Sequence, residues 1–227
     1  MAPLAPLSDD QIESIHLASL RLLEEYGIEV MSAPAREIFR AAGAEVDNAT
    51  MIVKADRGLI ESAIASAKPH FTLTPVNPDR ALIVGSDQIH FGLVSGAPNA
   101  HDIKGGRRSG NFEDYKKLMM LGQSFNVIHF FGNQTLATND LPVNTRHLDT
   151  TFVNLTMTDK VFLSMSIGEG RVRDAARLTA IARGLTMEEL AASPTAITNI
   201  NINSPRKFDV EMAAAAMAMA EMGQATV

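Results

Sequence analysis

The residues best suited to chemistry in this sequence are carboxamides that follow apolar runs. Phe131-Gly132-Asn133-Gln134 comes after one such run, and Asn199-Ile200-Asn201-Ile202-Asn203 ends another. A carboxamide is neutral and both donates and accepts, so it can hold a carboxylate or an ether-like oxygen without adding charge. Asn199, Asn201 and Asn203 alternate, which places them on one face of an extended strand. The competing reading is that they satisfy backbone groups at a strand-to-loop corner. Phe130 or Phe131 could wall a cation site, since an aromatic face attracts a cation; ordinary core packing is the more common role. Phe131, Asn133, Gln134, Asn199, Asn201 and Asn203 are therefore the candidate substrate-binding set.

The remaining titratable candidates favour structural roles. Glu169 opens a helical stretch, where a carboxylate complements the dipole. His129 lies inside an apolar run and is read as a hydrogen-bonded core residue. His147 and Asp149 are two apart on one helix and cannot face each other; the expectation is that they anchor the helix to a neighbouring loop. His90 and His101 flank a Gly/Pro-rich stretch that could close over a ligand or lie in solvent. No HxH, HExxH or cysteine cluster is present, so no metal site is expected. No P-loop, dinucleotide fingerprint or GxSxG elbow occurs either. No catalytic acid, base or nucleophile is assigned.

The elements that must position these residues show a period. Apolar runs Asn126–Phe131, Val161–Ser166 and Ala196–Asn201 begin 35 residues apart, with helical stretches near Pro142–Met157, Glu169–Arg183 and Asp209–Met222 between or after them. A further run starts at Gln224–Val227. Strands alternating with helices read as βα units with parallel strands, whose chemistry collects after the strand ends. Residues 126–227 are thus expected to hold the first βα units of a (βα)8 TIM barrel. Residues 1–70 read as a helical layer. Ser8 and Gln11 form a capping box, Ile12, Ile15, Ser19 and Leu22 a stripe, and Gly27 a stop; further helices start at Pro34 and near Asp56. Residues 71–125 read as an antiparallel β meander (Phe71–Val76, Ala81–Gly85, Gln88–Leu93), a surface loop over Ser95–Gly110 and a lead-in helix, Asn111–Gly122. The fold class is α/β.

Composition excludes several function classes. A net charge of −6 argues against nucleic acid, whose phosphates need clustered Lys and Arg. No apolar run approaches the roughly 20 residues of a membrane span. The absence of cysteine removes disulfides and thiolate chemistry and fits a cytoplasmic protein. The N-terminus has no basic region, so no signal peptide is expected.

Several segments together resemble the trimethylamine methyltransferase family of corrinoid-dependent enzymes. They are Leu7-Ser8-Asp9-Asp10-Gln11-Ile12-Glu13 leading to Leu23–Ile28, Ala41-Ala42-Gly43-Ala44 with Val46-Asp47, and Phe71-Thr72-Leu73 with Asn77-Pro78. His90-Phe91-Gly92, Arg146-His147-Leu148-Asp149 and Ser204-Pro205 to Asp209 continue the likeness. It runs along essentially the whole chain, carried by order and spacing more than by any one segment. The resemblance implies a TIM barrel after N-terminal elements. It implies transfer of a methyl group from a methylated or quaternary amine, such as trimethylamine or a betaine, to a corrinoid on a separate protein. No cofactor would be bound directly. Members of the family are about twice as long, and the position of pyrrolysine in those that use it lies outside these residues. The expectation is an N-terminal part of a longer polypeptide, with unpaired strand edges that favour a homo-oligomer. Two other classes stay open: another barrel enzyme, a lyase or hydrolase, and a non-catalytic half-barrel assembly module.

Overall fold

The computed structural model describes residues 5–85 and 87–227, and the chain divides into two compact units. One takes the residues up to Lys68 together with Asn201–Ala213; the other takes Pro69–Ile200 and Ala214–Val227.

In the first unit, helix α1 (Asp9–Arg21) starts where expected. Gln11 N donates to Ser8 Oγ at 3.3 Å, and Ser8 N donates to Gln11 Oε1 at 2.9 Å. A π-helical turn, Leu22–Tyr26, extends it to Gly27. Gly27 sits at φ +66, and a Cβ there would meet Val53 O at 2.3 Å, so both conformation and space demand glycine. The expected stripe is a correction: Ile12, Ile15 and Leu22 are exposed, and the buried anchor of α1 is Leu20. Strand β1 (Ile28–Val30) follows, then α2 (Ala33–Ala41), β2 (Glu45–Asp47), β3 (Ile52–Lys54) and α3 (Arg57–Ser66). Ser32 and Asp56 cap α2 and α3 by accepting from Ala35 N and Leu59 N.

The helical layer read from residues 1–70 is therefore incomplete. A four-stranded sheet runs through it, in the order Lys207–Phe208, β1, β3, β2. β1 pairs antiparallel with β3 and parallel with the late strand, Glu29 opposite Lys207. Strands of three residues are too short to display alternation, which is why the sequence hides them.

In the second unit, β4 (Phe71–Leu73) and β5 (Leu82–Val84) form an antiparallel hairpin, with Leu73 opposite Leu82. The third meander strand is a correction. Gly92 instead makes a parallel bridge to Phe130. The Ser95–Gly110 loop is a second correction, because it contains a hairpin of β6 (Asn99–Asp102) and β7 (Gly106–Ser109). Apart from Ala100 its strands carry no apolar side chain, so hydrophobic pattern gives no signal. Asp102 Oδ1 accepts from Lys104 N and Gly105 N across the turn, and Arg108 ties the hairpin to α4 (Phe112–Ser124) through Asp114.

The βα period is real, with shorter strands than expected. β8 (Phe130–Phe131), α5 (Arg146–Met157), β9 (Val161–Phe162), α6 (Glu169–Arg183), α7 (Met187–Ala192), β10 (Ile197–Thr198), β11 (the Lys207–Phe208 strand above), α8 (Val210–Glu221) and β12 (Ala225–Thr226) complete the chain. Gly92, β8, β9, β10 and β12 lie side by side and parallel: Phe130 opposite Val161, Leu163 opposite Ile197, and Ile197 opposite Ala225. The array is mixed α/β in character, and none of the described sheets closes. Alternation assigns its two faces. Val161 and Ile197, with Phe130 and Ala225, pack on Leu73 and Leu82 of the first hairpin, whereas Phe131 and Phe162 pack with Tyr115, Met119 and Val153 of α4 and α5. Among the described residues, no helix is long and apolar enough to cross a membrane.

Two buried polar groups hold this unit together. Lys160 Nζ donates to the carbonyls of Gly122, Gln123 and Phe125, capping the end of α4. Gln224 accepts from Thr195 N and Ala196 N and donates to Leu190 O and Met222 O, which fixes the turn ahead of β12.

Candidate functional site

In a parallel array the backbone direction reverses after each strand, leaving the following loops clustered at one end. Here the loop after β8 is stitched to the segment that precedes β6. Gly96 N donates to Gln134 O at 2.8 Å, Ala137 N donates to Ala97 O at 2.8 Å, and Ala97 bridges Leu136 in parallel. Gly132 allows this approach, since a Cβ there would meet Ser95 Oγ at 2.5 Å and Leu93 O at 2.6 Å. Gln134 adopts φ +43, a conformation that a non-glycine residue takes at a cost. Backbone outliers of this kind concentrate at functional sites.

These loops and the starts of α5 and α6 enclose a cavity of about 370 Å³. Asn133 and Gln134 line it from the β8 loop, and Met165, Ser166 and Ile167 from the β9 loop. Arg146, the first residue of α5, and Arg171, in the first turn of α6, complete the charged part of the lining. Both arginines are half-buried, and neither guanidinium has a hydrogen-bond or ion-pair partner among the described residues. The side chains of Asn133 and Gln134 likewise make no hydrogen bond there. His147 also lines the cavity and is 5% exposed. Its Nε2 lies 3.0 Å from Asp174 Oδ2, which anchors α5 to α6, a helix rather than the expected loop. Its Nδ1 is buried without a partner. The arrangement can bind: it offers two fixed positive charges, two free carboxamides and an imidazole nitrogen around an open volume. Among the described residues, no group of three His, Cys, Asp or Glu could hold a metal ion.

The structure thus brings two of the six candidates, Asn133 and Gln134, to this cavity. Phe131 is fully buried in the core against α4 and α5 and does not line it. Asn199 follows β10 and is exposed, outside the lining. Asn201 and Asn203 belong to the first unit. Asn203 exchanges two 2.7 Å backbone hydrogen bonds with Lys207, and its Nδ2 donates to the Asp209 carboxylate at 2.6 Å, so its carboxamide is engaged by a side chain at the corner. Glu169 pairs with Arg173 at 2.7 Å. His129 Nδ1 accepts from Phe91 N at 3.0 Å, and its ring meets those of His90 and Phe91. His101 lies in the polar hairpin. Sequence reasoning missed Arg146 and Arg171. The available signal was their place: cations in the first turns of two helices, where carboxylates are usual.

The family model described as "Trimethylamine methyltransferase (MTTB)" matches residues 1–227. A glycine betaine methyltransferase from Desulfitobacterium hafniense (strain Y51) is 33% identical over 221 residues, 97% of this chain and 46% of that protein. Trimethylamine methyltransferase MttB of D. hafniense (strain DSM 10664 / DCB-2) is 38% identical over 88 residues, 39% of this chain and 18% of its own length. MttB of Methanosarcina barkeri (strain Fusaro / DSM 804) is 38% identical over 64 residues, 28% of this chain and 13% of its own. The chain spans about half the length of this glycine betaine methyltransferase. Because the family model matches residues 1–227, this chain belongs to the trimethylamine methyltransferase family.

Proposed function

We propose that the protein moves a methyl group from a methylated or quaternary amine to a reduced corrinoid carried by a partner protein. The methyl carbon would bond to the acceptor as its bond to nitrogen breaks, and the electron pair of that bond would leave with the amine. The acceptor is written here as the second substrate; no group on this chain is asked to hold it. The chain's own part is to bind the amine, aim its methyl group and exclude water. Asn133 and Gln134 would orient the substrate by hydrogen bonds, not act as acids or bases. Asn199 and Asn201 stay in the proposal as further orienting groups.

The observation that carries this reading is the position of the cavity beyond the ends of β8 and β9, in a chain whose relatives are named methyltransferases. The parallel order of Gly92, β8, β9, β10 and β12 supports a (βα)8 barrel for the whole protein, with the cavity at its usual catalytic end. A soluble protein of the cytoplasm that works as a homo-oligomer completes the proposal.

The test is methyl transfer by the purified gene product that carries this sequence. Trimethylamine and glycine betaine are offered in turn with a reduced corrinoid, and loss of the reduced corrinoid's absorbance is followed. Transfer with either amine, lowered at least tenfold in Asn133→Ala or Gln134→Ala, is the expected result. Absence of transfer with both amines and with their methylated analogues would overturn the proposal.

A further inference from the structure

Arg146 and Arg171 stand where electrostatics disfavours them. Each sits in the first turn of a helix, at the positive end of its dipole, and the two share one cavity. Carboxylates close in sequence do not relieve them. Asp149, in the same turn of α5, makes no ion pair with Arg146. Glu169, in the first turn of α6, is engaged by Arg173, which also binds Glu221. Two like charges at two positive helix ends, both partly desolvated and unpaired among the described residues, would be relieved by an anion between them. His147 adds a second, separate observation. It is more than nine-tenths buried, lines the same cavity, and its Nδ1 lacks a partner, as a site awaiting a ligand atom would.

A cation alone fits this cavity badly, because the nitrogen of a simple methylamine would add a third positive charge. A zwitterion fits, if its anionic end meets the arginines and its ammonium lies away from them. We infer that Arg146 and Arg171 form a carboxylate-binding subsite, which selects betaine-type substrates over methylamines that carry only a cation. This assignment rests on the proposed methyltransferase function for its ammonium half and on the cavity alone for its carboxylate half. Guanidinium suits the role, since its fixed fork of donors matches a carboxylate.

The experiment is calorimetric titration of the purified gene product and of Arg146→Gln and Arg171→Gln. The probes are glycine betaine, choline, which shares the trimethylammonium group but lacks the carboxylate, and inorganic phosphate. Melting temperature with and without acetate supplies a bare carboxylate probe. Each substitution is expected to weaken glycine betaine by roughly tenfold to a hundredfold, the worth of a charged hydrogen bond. Choline should bind the variants as well as the parent or better. The melting temperature of the free variants should hold or rise, since neither guanidinium has a partner to lose.

Unchanged glycine betaine affinity in both variants would overturn the assignment, even if methyl transfer is observed. So would equal losses for choline and glycine betaine, which would place the effect in the fold. Arginine-dependent binding of phosphate, with no response to acetate or glycine betaine, would overturn it in favour of a phosphate site. Arginine-dependent stabilisation by acetate, without methyl transfer to any acceptor, would sustain the subsite and remove the methyltransferase reading.

Discussion

Replacing Gln224 by Leu is the perturbation whose cost can be worked most directly from the structure. Gln224 is 6% exposed and makes four hydrogen bonds: Thr195 N and Ala196 N donate to its Oε1 at 3.1 and 3.2 Å, and its Nε2 donates to Leu190 O at 3.0 Å and Met222 O at 3.1 Å. Leucine has nearly the same volume, so little of the loss is packing. Leu190 O keeps the bond from Ser193 N, but among the described residues no other hydrogen bond serves Thr195 N or Ala196 N. Both of those residues are buried. Leaving a buried donor unsatisfied costs about 1–3 kcal/mol, so the two N–H groups together cost about 2–6 kcal/mol. Burying the apolar leucine returns part of this, about 1.5–3 kcal/mol. The middle of the two ranges leaves a net destabilisation of about 2 kcal/mol, a sizeable share of an ordinary domain's stability. Urea unfolding followed by far-ultraviolet circular dichroism reads the loss as a lower midpoint with an unchanged slope. Amide exchange at Thr195 and Ala196 should accelerate more than exchange in α6. A variant within about 0.5 kcal/mol of the parent, with those amides still protected, would refute the accounting and mean that water enters the turn or the backbone re-pairs.

Two further outcomes are expected from the second unit's polar anchors. Hydrogen bonds from Arg108, above all, hold the Asp114 carboxyl down at about 2, although its burial alone would raise it. A carboxyl depressed from about 4 adds stability that is complete above that value and is lost as pH falls through about 2. The gap in melting temperature between the parent and Asp114→Asn should therefore be flat from pH 7 to 5 and close between about pH 4 and 2; a gap that persists at pH 2 would count against the Arg108 pairing. Lys160→Met keeps the stem and removes three donors from the last carbonyls of α4. It should cost about 1–2 kcal/mol in urea unfolding and speed amide exchange in the last turn of α4 before the rest of the helix.

Sequence and structure agree where a local signal has a direct physical cause. The capping residues Ser8, Asp56 and Asn111 locate the starts of α1, α3 and α4, because a short polar side chain there satisfies free helix N–H groups. The three apolar runs spaced 35 residues apart locate β8, β9 and β10, and the shorter run from Gln224 locates β12, although each strand holds only two paired residues. The ladder takes only part of each run, and the first run begins with exposed residues, Val127 at 57% among them. The polar hairpin β6–β7 and the three-residue strands of the first unit escape, because their pairing is set by distant partners. The site divides in the same way. Asn133 and Gln134 were legible because they follow a strand, whereas Phe131 and Phe130 could not be told apart until the ladder fixed which face each occupies. Arg171 carries no motif and Arg146 stands out in sequence only within the family-like Arg146–Asp149 segment; the absence of partners among the described residues makes both conspicuous.

The sheet of the first unit also sets an order in time. Arg206 Nη1 donates to Gly27 O at 2.7 Å across 179 residues of sequence, beside the bonds from Glu29 N to Arg206 O and from Met31 N to Phe208 O. A ribosome adding about 5–20 residues per second needs about 10–35 seconds to make that intervening chain. Through that interval β1 has β3 on one side and nothing from its own chain on the other. A nascent strand edge so exposed invites pairing with a neighbouring copy on the same message. Slower elongation between codons 30 and 206 should therefore raise the fraction lost to aggregates, while leaving the stability of the finished protein untouched.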